Sequence, residues 1–210
     1  HGLHNLPQPV RLFYIWTGFR YERPQAGRYR QFNQFGIEII GEPDASVDAE
    51  VIEVGWRFLE AVGLSDLTLT VNSIGDDQCR PGYMEELKAF YRGHAEEICD
   101  DCKRRLVRNP LRLLDCKNNI CQPFIADAPQ SAQHLCDECS AHWDDLQSYL
   151  KGIGLEFEID HKLVRGLDYY TRTVFEISPP EEGRTATIVG GGRYDGLIEQ
   201  LGGKPTPGVG

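Results

Sequence analysis

Residues 12–41 read LFYIWTGFRYERPQAGRYRQFNQFGIEIIG, and this stretch decides the fold. Leu12–Arg23 and Gln31–Gly41 are rich in aromatic and β-branched residues, so each reads as a strand. Pro24 and Gly27 punctuate the basic segment between them. The simplest arrangement is an antiparallel hairpin with a long basic tip. Strand side chains alternate in direction. Phe32, Gln34, Gly36, Glu38 and Ile40 therefore share one face of the second strand, and Gly18, Arg20 and Glu22 share one face of the first. Where the two faces coincide, a flat surface presents Arg20, Glu22, Gln34 and Glu38, with open backbone at Gly36. Glu38 stands among Ile37, Ile39 and Ile40, where a bare carboxylate is costly, so it needs a donor from the protein or from a ligand. An internal pair between Arg20 and a carboxylate is the plainer reading of the spacing. Arg23, Arg28 and Arg30, with Tyr29 and Phe32, suit phosphate and base recognition, and they equally suit a solvated hairpin tip.

Beyond the hairpin the period changes. Val47, Val51, Val54, Phe58 and Val62 recur at helical spacing, so an amphipathic helix is expected over 44–64, capped by Asp44 or Ser46 and ended by Gly63. LTLTVN (67–72) alternates as a strand. From Pro81 to Lys151 two helices are expected at the ends, with short segments and six cysteines between them and no convincing strand. Strand patterns return at 155–160, 173–177 and 185–189, followed by Gly190-Gly191-Gly192 and a short helix over 194–201. Strands with segregated helices argue for α+β with an antiparallel sheet rather than a βαβ repeat. The expected division is a first part of the core (1–80), a helical cysteine-rich insert (81–151) and a second part of the core (152–210).

The 210 residues are 40% hydrophobic and 26% charged, enough to bury a core and against disorder. A net charge of −10 excludes a generic nucleic-acid-coating protein. No apolar run approaches the ~20 residues of a membrane helix, and HGLHNLPQPVR has no apolar signal region. A cytoplasmic protein with reduced thiols is expected.

Three segments resemble one family in order. GFRYERPQAGRYRQFNQFGIEIIG is similar to motif 2 of the class II aminoacyl-tRNA synthetases in the form seen in the histidyl-tRNA synthetases. RGLDYYTRTVFE (165–176) and GGGRYDGL (190–197) resemble that family's two histidine-specific motifs, and CKRRLVRNPLRLLDCKN resembles its insertion domain. The resemblance spans essentially the whole chain. It implies a class II catalytic core that joins L-histidine to ATP and passes it to tRNA(His), with ATP and Mg2+ required. Arg20 and Arg165 would act on the α-phosphate, with Arg20 also meeting the histidine carboxylate. Glu22 and Arg28 would hold the nucleotide, and Phe32 would pack on adenine. Gln34 would meet the amino-acid backbone groups, while Glu38 and Tyr170 would take the two ring nitrogens of histidine. Tyr169, Gly191 with its neighbouring glycines, and Tyr194 would line the pocket. Without the resemblance, RGLDYY is a turn with an Arg165–Asp168 pair and the glycine run is a tight turn. A homodimer is implied as well. Motif 1 would precede His1, and motif 3 and an anticodon-binding domain would follow PTPGVG, so the chain reads as a piece of a longer enzyme with little or no activity by itself. The histidine-sensing regulatory subunit of ATP phosphoribosyltransferase shares the implied fold, but generally lacks the full motif 2 loop and the insert that this chain keeps.

The insert adds two expectations. Cys99-x2-Cys102 and Cys136-x2-Cys139 have structural-zinc spacing, with Cys116 and Cys121 as substitutes, and one Zn2+ tying the ends of the insert together is expected beside the alternative of reduced, buried thiols. Lys103, Arg104, Arg105, Arg108, Arg112 and Lys117, opposed in sequence by Asp115, form the basic cluster of an acidic chain. A contact with the acceptor arm of tRNA is expected there, beside the plainer reading of a solvated helix face. A zinc-dependent nucleic-acid-binding module would explain the insert and leave the three motifs unexplained.

Overall fold

The hairpin forms as its alternation requires. In this computed structural model, which describes residues 2–21, 23–24, 29–165, 169–180 and 187–210, strand β1 (Val10–Phe19) pairs antiparallel with β2 (Gln31–Ile40), with Gly18 opposite Phe32, Tyr14 opposite Gly36 and Leu12 opposite Glu38. The two faces inferred from alternation therefore coincide. The chain then enters helix α1 (Ala45–Ala61), where the Asp44 side chain accepts from the Ser46 N–H at 2.8 Å and caps the first turn. Gly63, at φ +90°, ends the helix in the left-handed region. The buried stripe of α1 is Val47, Val51, Ile52, Gly55 and Leu59. Val54, Phe58 and Val62, expected on that stripe, sit at its margin and are each about two-fifths exposed or more.

Strand β3 (Thr68–Ser73) follows, then the helices α2 (Arg80–Gly93), α3 (Asp100–Arg108), α4 (Gln122–Ala126) and α5 (Asp137–Gly152). The remaining elements are β4 (Glu158–Ile159), β5 (Thr171–Ser178), β6 (Val189–Arg193), α6 (Leu197–Gln200) and β7 (Gly208–Val209). Among the described residues, seven strands form one sheet in the order β1-β2-β7-β6-β5-β3-β4, antiparallel except between β3 and β4. The α+β expectation holds, and no strand occurs between 81 and 151.

Several local expectations are corrected. The strand expected over 155–160 shrinks to two residues. The glycine run is not a turn after a strand but the body of β6, held by pairing to β5 on one side and β7 on the other. Residues 185 and 186 of the strand expected there lie outside the described residues. The helix expected over 194–201 is a single turn. Within PTPGVG, for which no element was expected, Gly208–Val209 completes the middle of the sheet between β2 and β6.

One face of the sheet is dry. Ile39, Leu69, Val71, Phe175, Ile177 and Val209 pack against Val47, Val51, Ile52 and Leu59 of α1 and Trp143, Leu146 and Leu150 of α5. Each large side chain buried this way contributes about 1.5–3 kcal/mol. A second, smaller core lies within the helical region and runs from Tyr83 to Ala128. Helix α5 contributes Trp143, Leu146 and Leu150 to the first core rather than to the second. At the back of the sheet Arg193 is fully buried. It meets Asp48 of α1 through two nitrogens and donates to the carbonyls of Glu42 and Asp44 at 3.1 Å each. Thr173 Oγ1 donates to Asp48 at 2.5 Å. This paired charge ties β6 and β5 to the first turn of α1.

Candidate active site on the open face of the sheet

The opposite face carries the polar residues. Even-numbered positions of β2 face this side together with Tyr14, Glu176, Tyr194 and the tyrosines that lead into β5. Glu38 is half-buried here. Tyr194 donates its hydroxyl to Glu38 Oε2, and Tyr14 donates to Oε1 at 3.4 Å. Burial pushes the Glu38 carboxyl upward, and the two tyrosine hydroxyls pull against that by stabilising the anion. The donors that the sequence demanded thus come from the protein, from two tyrosines. Burial also raises the phenol of Tyr194, with Glu38 adding to the shift, so the phenol keeps its proton to donate. Tyr170 is buried beside Tyr169, their ring centroids 4.9 Å apart, and Tyr169 stands edge-on to Tyr194 at 6.2 Å. Three aromatic rings therefore wall one side of Glu38.

Arg165 reaches this wall from the loop before β5. It pairs with Glu176, whose other oxygen accepts from Thr187 Oγ1 at 2.6 Å. The alternative partner Asp168 lies outside the described residues. Glu176 leaves the Arg165 guanidinium three-quarters buried and aimed by a carboxylate on a rigid strand. At the far edge Arg20 lies 4.2 Å above the Phe32 ring, a cation–π contact that keeps the two residues together. Gln34 is exposed on the same face. Glu22 and Arg28, expected to hold the nucleotide, lie outside the described residues.

Glycines make the floor flat enough for these side chains to lie down. A Cβ at Gly190 would stand 2.6 Å from the Arg165 guanidinium, and one at Gly36 would enter the Tyr14 ring. Glycine weakens a strand by itself, so its use here marks a surface on which larger groups must approach backbone. Gly192 likewise underlies Tyr170, with 2.8 Å from a hypothetical Cβ to the ring. Gly191 turns its open side to Phe175 in the dry core. Of the three glycines expected at the pocket, Gly190 and Gly192 lie against Arg165 and Tyr170, whereas Gly191 lies against Phe175.

Two participants were missed by sequence reasoning. Tyr14 could have been found by carrying the alternation of β1 opposite Gly36. Glu176 was already inside the quoted 165–176 motif, and only the fold shows that it faces Arg165. Arg193 too lay in a quoted motif, but its buried partner Asp48 is 145 residues away, beyond any local pattern.

The cysteine expectation is corrected by geometry. The Cys99/Cys102 and Cys136/Cys139 pairs do not come together. Cys99, Cys102, Cys116 and Cys121 form one group, while Cys136 and Cys139 gather with Asp76 and Cys79 into another. The two pairs belong to different packing units, one within the insert core and one at the N-terminus of α5. The basic cluster is also more internally paired than its sequence suggested. Arg104 meets Asp101, Lys103 lies 3.8 Å from Glu96, Lys117 lies 3.2 Å from Asp115, and Arg105 donates to the Arg112 carbonyl at 2.9 Å.

A family profile described as histidyl-tRNA synthetase matches residues 1–210. The chain belongs to the histidyl-tRNA synthetase family. A curated histidine–tRNA ligase of Dehalococcoides mccartyi is 57% identical over the whole chain, which covers 50% of that protein. An apo histidyl-tRNA synthetase of S. aureus shares the fold with a TM-score of 0.76 and 38% identity, over all of this chain and 50% of that one. A Bacillus halodurans structure described as an ATP phosphoribosyltransferase regulatory subunit/histidyl-tRNA synthetase matches with a TM-score of 0.58 at 24% identity, over 99% of this chain and 57% of that one, a likeness of fold alone. The chain thus spans about half the length of the ligases it matches. The family supports the class II synthetase architecture of the open face.

Proposed function

We propose that the protein carrying this chain activates L-histidine with ATP and transfers it to tRNA(His). The observation that carries this reading is a half-buried carboxylate, Glu38, framed by Tyr14 and Tyr194 on an open sheet face that also presents Arg165. Histidine is the standard amino acid with two nitrogens on a planar ring, one a donor and one an acceptor when neutral. Glu38 would accept from one ring N–H, and Tyr170 would donate to the other nitrogen. A site whose buried polar groups need such partners rejects analogues that leave them unpaired, often by ~10⁴-fold.

In the reaction a histidine carboxylate oxygen attacks the α-phosphorus of ATP. A P–O bond forms, the bond to the bridging oxygen breaks, and pyrophosphate leaves with the electron pair. Arg20 and Arg165 would stabilise the charge on the α-phosphoryl oxygens, and fixed cations of this kind supply catalysis by positioning and electrostatics. Phe32 would pack on adenine, Glu22 and Arg28 would hold the nucleotide, and Gln34 would meet the amino-acid backbone. ATP would enter as its Mg2+ complex. The ester then forms when a ribose hydroxyl at the tRNA 3′ end attacks the activated carbonyl and AMP leaves.

The basic face of α3 would meet the acceptor arm of that tRNA. Reversing the charges of Arg104 and Arg108 should weaken tRNA binding and reduce its salt slope, while unchanged binding would remove the contact. Phe13 and Ile15, about three-quarters exposed on the other side of β1, offer an apolar strand face suited to subunit contact in a homodimer. No helix among the described residues is long and apolar enough to cross a membrane. A cytoplasmic location follows from the proposed role in protein synthesis.

ATP–pyrophosphate exchange by the full-length protein, with each amino acid in turn, tests the reading. Exchange with histidine alone is expected. Absence of exchange with intact histidine binding would overturn it and favour a histidine sensor.

A further inference from the structure

We propose that Cys99, Cys102, Cys116 and Cys121 form a tetrathiolate site for one structural Zn2+ inside the helical insert. The four sulfur atoms lie within 4.8 Å of one another, and Cys99 Sγ is 3.8 Å from Cys116 Sγ. A tetrahedron with zinc–sulfur bonds of about 2.3 Å has sulfur–sulfur edges of about 3.8 Å. A disulfide would need a sulfur pair at about 2.05 Å, and all four cysteines are free. The spacing is compatible with four sulfurs sharing one ion.

Local structure supplies two ligands from each arm of a clamp. Cys99 is the N-cap of α3 and Cys102 lies in its first turn. Cys116 and Cys121 come from the returning loop and the short 3₁₀ turn Asn119–Cys121. Two backbone donors already point at sulfur: the Cys99 N–H at Cys121 Sγ and the Asn118 N–H at Cys116 Sγ, both at 3.4 Å. Such donors orient thiolate ligands and stabilise their charge. The positive end of α3 acts in the same direction. Four thiolates and Zn2+ would carry a net charge of −2, and Lys103, Arg104, Arg105 and Lys117 flank the ligands in sequence.

The site also answers a deficit in the insert. Its core is small, and three of the four cysteines are buried members of it. Cores of this size are commonly secured by a metal or by disulfides. The second group, Asp76 with Cys79, Cys136 and Cys139, differs in one respect. Arg172 stands 3.3 Å from Asp76, so the protein itself supplies a cation to that cluster. The metal is assigned to the first group.

Zinc analysis of the full-length protein by inductively coupled plasma mass spectrometry tests the assignment. The Cys116→Ser/Cys121→Ser double variant should carry one zinc fewer per chain than wild type, while Cys136→Ser/Cys139→Ser should match wild type. Because the first variant can misfold, cobalt replacement in the wild-type protein provides a second reading: the spectrum should show tetrahedral ligation and strong thiolate-to-cobalt charge transfer. Zinc-free wild-type protein, an unchanged zinc count in the first variant, loss confined to the second, or a cobalt spectrum without thiolate bands would each overturn the site. None of these outcomes bears on histidine activation, so the two readings fail separately.

Discussion

The open sheet face and the helical insert solve opposite problems. The face must leave polar groups reachable, so Glu38, Arg165 and Arg20 are only partly buried and are steadied by neighbours on rigid strands. The insert must hold together around a small core, so it buries three of its four clustered cysteines and turns its charges outward. The face draws its rigidity from a large dry core behind it, in which α5 takes part. The insert has no comparable backing. The lesson is that a site legible by alternation depends on a sheet, whereas one made from cysteines depends on which loops the fold brings together.

The strongest way to break the face is from behind. Replacing Arg193 by Met leaves Asp48 buried without its cation, at a cost of about 3–5 kcal/mol. Chemical denaturation should show the sheet core destabilised by that amount. A cost under about 1 kcal/mol would mean that the pair does not anchor β6.

Acid should separate the two regions next. Burial, reinforced by the nearby charges of Arg193 and Arg172, holds the His142 imidazole down at about 4. Its Nε2 lies 3.3 Å from Asp48 but without hydrogen-bonding geometry, so the ring is neutral in the folded protein at pH 7. The unfolded chain binds a proton near the ordinary value of about 6.5. Between these values the unfolded state holds more protons, so stability is fully present above about 6.5 and falls as the pH drops toward about 4, by up to roughly 3 kcal/mol. Denaturation midpoints across this window should fall in wild type and flatten in His142→Gln.

The smallest of these changes sharpens the comparison at one atom. Gly190→Ala places a methyl where the Arg165 guanidinium lies. Exchange activity of the full-length protein should fall by roughly ten- to a hundredfold through misplacement, with stability changed little. Full activity would show that Arg165 does not need this position.

Much of the face was readable before the fold was known. The hairpin, the shared even-numbered face, the Asp44 cap and the need of Glu38 for donors all follow from period and polarity. The middle of the sheet was not readable. Glycine has poor strand propensity, so Gly190–Gly192 looked like a turn, and two residues of PTPGVG form β7 only because neighbouring strands hold them. Helix α3 was hard to bound because most of its residues are charged and its apolar stripe is only Cys102 and Leu106. The spacing of the cysteines was visible, but their grouping depends on α5 packing with the core rather than with the insert.

The most direct test is the dependence of pyrophosphate exchange on histidine concentration in wild type and Glu38→Gln, on the full-length protein with folding verified. If Glu38 receives the imidazole, kcat/KM for histidine falls about a hundredfold or more, while KM for ATP stays within about twofold. An unchanged response to histidine in a folded Glu38→Gln protein would contradict the assignment of this face as the histidine site.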